Sequence, residues 1–145
     1  MKKLFTGYFG AAKKYPESAL QVRIASMAPQ WWGAKLKSYQ PKLVWRSFKV
    51  WKQGLFKGDM KADYFEQMDL LKNTGELQTI IDSIPDQSIL LCYEKDVCTC
   101  HRGWLLDYLV KNEMAEVSEF PLPPAEKREM ACGKVIKGQT DLLFS

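Results

Sequence analysis

The segment SILLCYE, residues 88–94, constrains this chain more than any other stretch. Ile89, Leu90, Leu91 and Cys92 follow one another without a polar interruption. A strand with one face in water alternates apolar and polar residues. A continuous run of this length instead suits a strand buried on both faces of a parallel sheet. Such sheets occur in folds where strands and helices alternate, so this run points to the α/β class.

The neighbouring segments agree. KLFTGYF reads as a first strand, and ALQVRIAS as a second, with Leu20, Val22 and Ile24 alternating with Gln21 and Arg23. APQWWGAKLKSYQPK reads as a loop punctuated by Pro29, Gly33 and Pro41. Val44, Phe48 and Trp51 fall at helical spacing within a helix expected over 43–53 and stopped by Gly54. Asp59 is a good N-cap for a helix over 59–72, with Met60, Tyr64, Phe65, Met68 and Leu71 on one side. ELQTIIDSI reads as a short helix. Trp104, Leu105, Tyr108 and Leu109 repeat at i and i+4 along another, and AEVSEF is a weaker last strand ended by PLPP. The expectation is a Rossmann-like layered sandwich, with a mostly parallel central sheet flanked by helices. Residues 1–145 carry no repeat or low-complexity linker, which predicts a single domain.

Several function classes drop out on composition. No stretch approaches the roughly 18 to 20 apolar residues of a membrane helix, so no membrane association is expected. Gly7 and Gly10 interrupt the basic, apolar start too early for a signal peptide. That predicts a cytoplasmic protein whose four cysteines are reduced thiols. The net charge of +4 is mild, but many of the basic residues fall in the first 60 positions, from Lys13 and Lys14 to Lys57. Together with Trp31 and Trp32 they could form a basic face for nucleic acid.

Chemistry-bearing residues gather at 92–102. Cys92, Tyr93 and Glu94 end the buried strand, and Cys98, Cys100, His101 and Arg102 lie at or just before the next helix. In open α/β sheets, ligands bind beyond the carboxyl ends of the strands, near helix amino termini that favour anions. The same field favours a thiolate. Familiar patterns do not fit: a tyrosine-phosphatase loop needs five residues between cysteine and arginine, and a thioredoxin motif needs two between its thiols. The C-x-C-H cluster, completed by Cys92 or Cys132, could hold zinc. Structural zinc usually shows two separated knuckles, so no metal site is expected. Bland readings stand beside the sharp ones: Cys92 as a buried small hydrophobe, and His101 and Arg102 as a strand–helix clamp.

LFTGYFG, VRIASMAPQWW and above all ILLCYEKDVCTCHRGWLLDYL resemble the domain-of-unknown-function 488 family. The residues that carry the resemblance are Thr6, Tyr8 and Phe9; Ile24, Ala25, Pro29 and Trp31; Leu90 to Glu94; then Cys100, His101 and Arg102. It spans a core of about residues 3–112, leaving 118–145 as a C-terminal extension. It implies a small α/β domain, often bacterial or viral in source, with no firmly established activity. The chain departs from the pattern at Ser26 and Met27, where an arginine is common, and at Cys98 and Thr99.

Two function classes follow. In the first, the chain binds a small anionic or nucleotide-like ligand. Cys100 would serve as nucleophile, His101 as proton carrier and Glu94 as orienting carboxylate, with Arg102, Thr6, Tyr8 and Trp31 contacting the ligand. In the second, it is a non-catalytic binding or regulatory module that meets nucleic acid or a protein through its tryptophan-rich basic half. The sequence leaves open whether the domain is an enzyme, and the cofactor is unknown.

Overall fold

The structure, a computed structural model, describes residues 1–93 and 100–121. Five strands form one all-parallel sheet: β1 (Lys3–Tyr8), β2 (Gln21–Arg23), β3 (Lys37–Tyr39), β4 (Ile89–Cys92) and β5 (Glu116–Glu119). Four α-helices accompany them: α1 (Phe48–Lys52), α2 (Met60–Asn73), α3 (Glu76–Ser83) and α4 (His101–Lys111). The fold is a layered α/β structure.

The strand order is β3-β2-β4-β1-β5, which puts the continuous apolar run in the middle. All four residues of β4 are buried. Leu90 lies opposite Thr6 on one side and Val22 on the other. In the doubly wound order 3-2-1-4-5 the first two strands are neighbours; here β4 separates them.

Alternation along the strands divides the interior into two cores. Leu4, Val22, Ile24, Leu90 and Val117 pack with Tyr64 and Met68 of α2, Ile81 of α3, and Trp104 and Leu105 of α4. Ile89 and Leu91 face the other way, toward Phe9, Ala11, Ala12, Tyr15 and Trp32. Among the described residues, that second face is covered by a 3-10 helix, Phe9–Lys14, and by the segment around Trp32 rather than by long helices. Close approach makes this thin cover work. A Cβ on Gly7 would lie 2.3 Å from the Tyr15 hydroxyl, which accepts the Tyr8 backbone N–H at 3.1 Å.

The expected helix over 59–72 forms as α2, and the Asp59 side chain accepts the Ala62 N–H at 3.1 Å. Two segments differ from expectation. Lys37–Tyr39, read as loop, is an edge strand, and the Arg23 guanidinium lies 3.6 Å from the centre of the Tyr39 ring. The helix expected over 43–53 is reduced to α1 because Trp45 turns inward and bonds Asp63 through its indole N–H at 2.8 Å. Gln67 takes over the backbone groups this frees. Its Oε1 accepts the Arg46 N–H at 2.9 Å, and its Nε2 donates to the Val44 carbonyl at 2.7 Å. A tertiary partner thus replaces the helix's own hydrogen bonds.

Candidate functional site

β4 ends at Cys92, and α4 begins one residue after Cys100, its N-cap. Strand order places β2 beside β4, so Ile24, just beyond β2, hydrogen bonds to Leu91 through its N–H at 3.0 Å. The carboxyl ends of β2 and β4 and the first turn of α4 therefore meet at one point. There Cys92, Cys100 and His101 converge, all buried, with one ligating atom from each within 4.8 Å of the others.

Cys92 and Cys100 are joined as a disulfide. The sequence alone predicts reduced thiols. The correction comes from the fold, which turns α4 back onto β4 and brings the N-cap against the strand end. Cys92 is also the buried residue that the apolar run predicted.

His101 Nε2 lies 2.5 Å from the Ile24 carbonyl oxygen, and Nδ1 lies 3.4 Å from Cys92 Sγ. A carbonyl only accepts, so Nε2 must carry the proton and Nδ1 presents its lone pair to the sulfur. Burial pushes the imidazole pKa down to about 4, the bond to Ile24 works against that shift, and the nearby Arg102 charge adds to it. His101 is thus a neutral, oriented base at neutral pH. Once Cys92 is a thiol, the lone pair of Nδ1 can accept its S–H hydrogen bond.

Arg102 is wholly buried, and its guanidinium grips Glu119 of β5, with Nε–Oε1 at 3.3 Å and Nη2–Oε2 at 3.0 Å. The Thr6 hydroxyl donates to the same carboxylate, and the guanidinium carbon sits 5.6 Å from the centre of the Tyr8 ring. Thr6, Tyr8 and Arg102, three of the expected ligand-binding residues, are therefore gathered around Glu119. Sequence reasoning missed this acid, although a signal existed. Glu119 shares its strand face with Val117, which is buried, so an inward carboxylate there requires a cation.

Trp31 is not part of this cluster. It is 57% exposed at a hollow of about 210 Å³ lined by Lys13, Tyr15, Gln21 and Lys35, against the sheet's other core. Glu94 and Cys98 lie outside the described residues, as do residues 122–145 of the C-terminal extension. Ser118 and Glu119, the first residues of that extension, form part of β5, the last strand expected over AEVSEF.

Comparison with known proteins gives one family match, to the Domain of unknown function DUF488, over residues 32–109 and so over more than half of the chain. It includes the LLCYE and CHR motifs and begins after β2. No curated protein and no solved structure matches.

Two outcomes follow from this geometry. Replacing Arg102 with Met leaves the Glu119 carboxylate without its guanidinium, and the Arg102→Met chain should lose about 3 kcal/mol of stability in urea unfolding. An unchanged midpoint would show that the pair does not hold α4 to β5. The second concerns pH. The folded pKa of His101 lies below the unfolded value of 6.5, so between pH 6.5 and about 4 the unfolded chain binds the extra proton. Stability should fall as pH drops through that window, by an amount on the order of 3 kcal/mol in full. Unfolding curves of His101→Asn should lack this slope; an equal slope in both chains would place the effect elsewhere.

Proposed function

The chain belongs to the DUF488 family, and from that premise we propose that it binds a small anionic, nucleotide-like ligand through a Cys/His-dependent site at the carboxyl edge of β4. One observation carries this reading: Cys92, Cys100 and His101 converge at the head of α4, with the lone pair of His101 on the Cys92 sulfur. The 11 residues of α4 present their positive end there, which attracts anions and favours thiolates. In open parallel sheets this edge is where ligands collect.

The proposed site works as a dithiol, reached when a thiol reductant opens the Cys92–Cys100 bond. A Cys92 thiol donates its S–H hydrogen bond to His101 Nδ1; the positive end of α4 favours loss of that proton to solvent, and the thiolate left behind is a nucleophile. Cys100, held at the N-cap, is the second thiol, assigned the nucleophile's role from the sequence alone. Arg102 contributes positive charge under the site while its grip on Glu119 fixes α4 against the sheet. Thr6 and Tyr8 complete that floor, and Glu94 keeps its assigned role as the orienting carboxylate. Binding is the core of the proposal; thiol chemistry is the step it makes available.

A second reading has its own observation. Trp31 stands exposed beside Lys13 and Lys35 at the hollow on the other face, an arrangement on which a base could stack while its phosphates meet the lysines. This supports a nucleic-acid-binding module that leaves the cysteine cluster unused.

Each reading has its measurement. With the full chain reduced, adenosine monophosphate at about ten times its Kd should slow iodoacetamide alkylation of Cys92 and Cys100 about tenfold. Inorganic phosphate should protect more weakly. No protection by either compound would remove the anion site. For the second reading, a fluorescent single-stranded oligonucleotide should bind at low salt and dissociate steeply as salt rises. Trp31→Ala should then weaken binding by roughly 1 to 3 kcal/mol. Absence of binding at low salt would eliminate nucleic acid as a partner.

A further inference from the structure

We propose that Cys92, Cys100 and His101, in the reduced protein, hold a soft divalent metal ion, zinc above all, through Cys92 Sγ, Cys100 Sγ and His101 Nδ1. The three atoms come from two elements, the end of β4 and the start of α4, and lie within 4.8 Å of one another in a buried position. At a Zn–S distance of about 2.3 Å, two sulfurs on a tetrahedral ion stand roughly 3.7 Å apart, a small parting once the bond between them is reduced.

A second, independent feature points the same way. A metal-bound histidine almost always donates its other ring N–H to a carboxylate, a carbonyl or water, which fixes the ring and aims its lone pair. His101 has that support, because Nε2–H is donated to the Ile24 carbonyl and Nδ1 faces the cysteine sulfur. The Ile24 carbonyl is held in turn by the sheet, where the Ile24 N–H bonds to Leu91.

Ligand chemistry selects the ion. Two thiolates and an imidazole suit zinc and other soft or borderline ions, whereas calcium and magnesium require oxygen ligands. Charge balance also favours it: a divalent cation with two thiolates and a neutral imidazole makes a neutral assembly, which a buried site accommodates without a further counter-ion. Among the described residues no fourth cysteine, histidine or carboxylate joins the group. Three protein ligands with an open fourth position is the pattern of catalytic zinc, in which water or substrate takes the remaining place.

The chemistry balances in two steps. A dithiol or phosphine reductant supplies two electrons to the Cys92–Cys100 bond, and the two sulfurs take up two protons from solvent. Zinc then binds both sulfurs and His101, and those two protons return to solvent. Exchange with a small-molecule disulfide reverses the sequence: its S–S bond is reduced to two thiolates, the Cys92–Cys100 bond re-forms and the ion is expelled. The metal proposal uses the same three residues as the anion reading but does not depend on it, because its test needs no organic ligand.

The experiment uses the full chain carrying Cys98→Ser and Cys132→Ser, so that cysteines outside the group cannot contribute. Reduced with a phosphine and titrated with cobalt(II), it should bind one equivalent. Binding should show thiolate-to-cobalt charge-transfer and tetrahedral d–d bands, which one equivalent of zinc abolishes. The same chain with its disulfide intact should show none. His101→Asn and Cys100→Ser should each weaken zinc binding by at least tenfold to a hundredfold, with folding checked by circular dichroism. Should Cys100→Ser fail to fold, protection of Cys92 and Cys100 from alkylation by zinc in the parent chain decides the matter. No cobalt bands at one equivalent, bands unchanged in a folded Cys100→Ser chain, or thiols unprotected by zinc would each overturn the proposal.

Discussion

Burial of β4 on both faces is the constraint on which the rest of the structure depends. A strand with no polar side chain to offer water must have a neighbour on each edge and a layer on each face. β1 and β2 supply the edges. On one face α2, α3 and α4 cover Leu90; on the other, the Phe9–Lys14 turn and Trp32 cover Ile89 and Leu91. Once β4 is central, its carboxyl end can only open onto the rim of the sheet. The chain that leaves it must return as a helix on the α2 side to reach β5. The meeting of Cys92 with Cys100 and His101 is thus a consequence of where the apolar run had to go.

A second demand comes from charge. Arg102 sits in the first turn of α4 with no exposure to water, so its charge needs partners inside the protein. Glu119 answers it from β5, and Thr6 of β1 answers the carboxylate in turn. Three elements distant in sequence are tied by one carboxylate. This clip adds to the core packing of Trp104, Leu105 and Tyr108 in holding α4 against the sheet, while the imidazole beside it is held by its own bond to the Ile24 carbonyl.

These dependencies explain what could be read from the sequence. β4 was legible because four consecutive apolar residues have few other uses, and α2 because its N-cap and its apolar spacing agree. β3 was not, since Lys37, Ser38 and Tyr39 form an edge of three residues with no apolar period. The segment around Trp45 misled because helical spacing is a local signal, whereas Asp63 and Gln67 offered partners from another helix. At the site, Cys100, His101 and Arg102 are adjacent in sequence and were visible together. The bond between Cys92 and Cys100 was hidden because it depends on how the chain turns between strand and helix. Trp31 separated from the cluster for a similarly non-local reason. Its neighbour Trp32 donates its indole N–H to Gln21 at 2.8 Å, which holds Trp32 inward and leaves Trp31 facing out.

The strand order also bears on how the chain is made. β2 and β3 are neighbours and close in sequence, so they can pair as soon as they are synthesised. β1 cannot: both of its partners, β4 and β5, lie roughly 80 to 115 residues further on. At translation rates of about 5 to 20 residues per second, the first strand waits on the order of ten seconds with its backbone edges unpaired and Leu4, Phe5, Tyr8 and Phe9 in want of cover. Those side chains therefore need cover before the sheet exists, a demand that falls on the first strand, well away from the cysteine cluster.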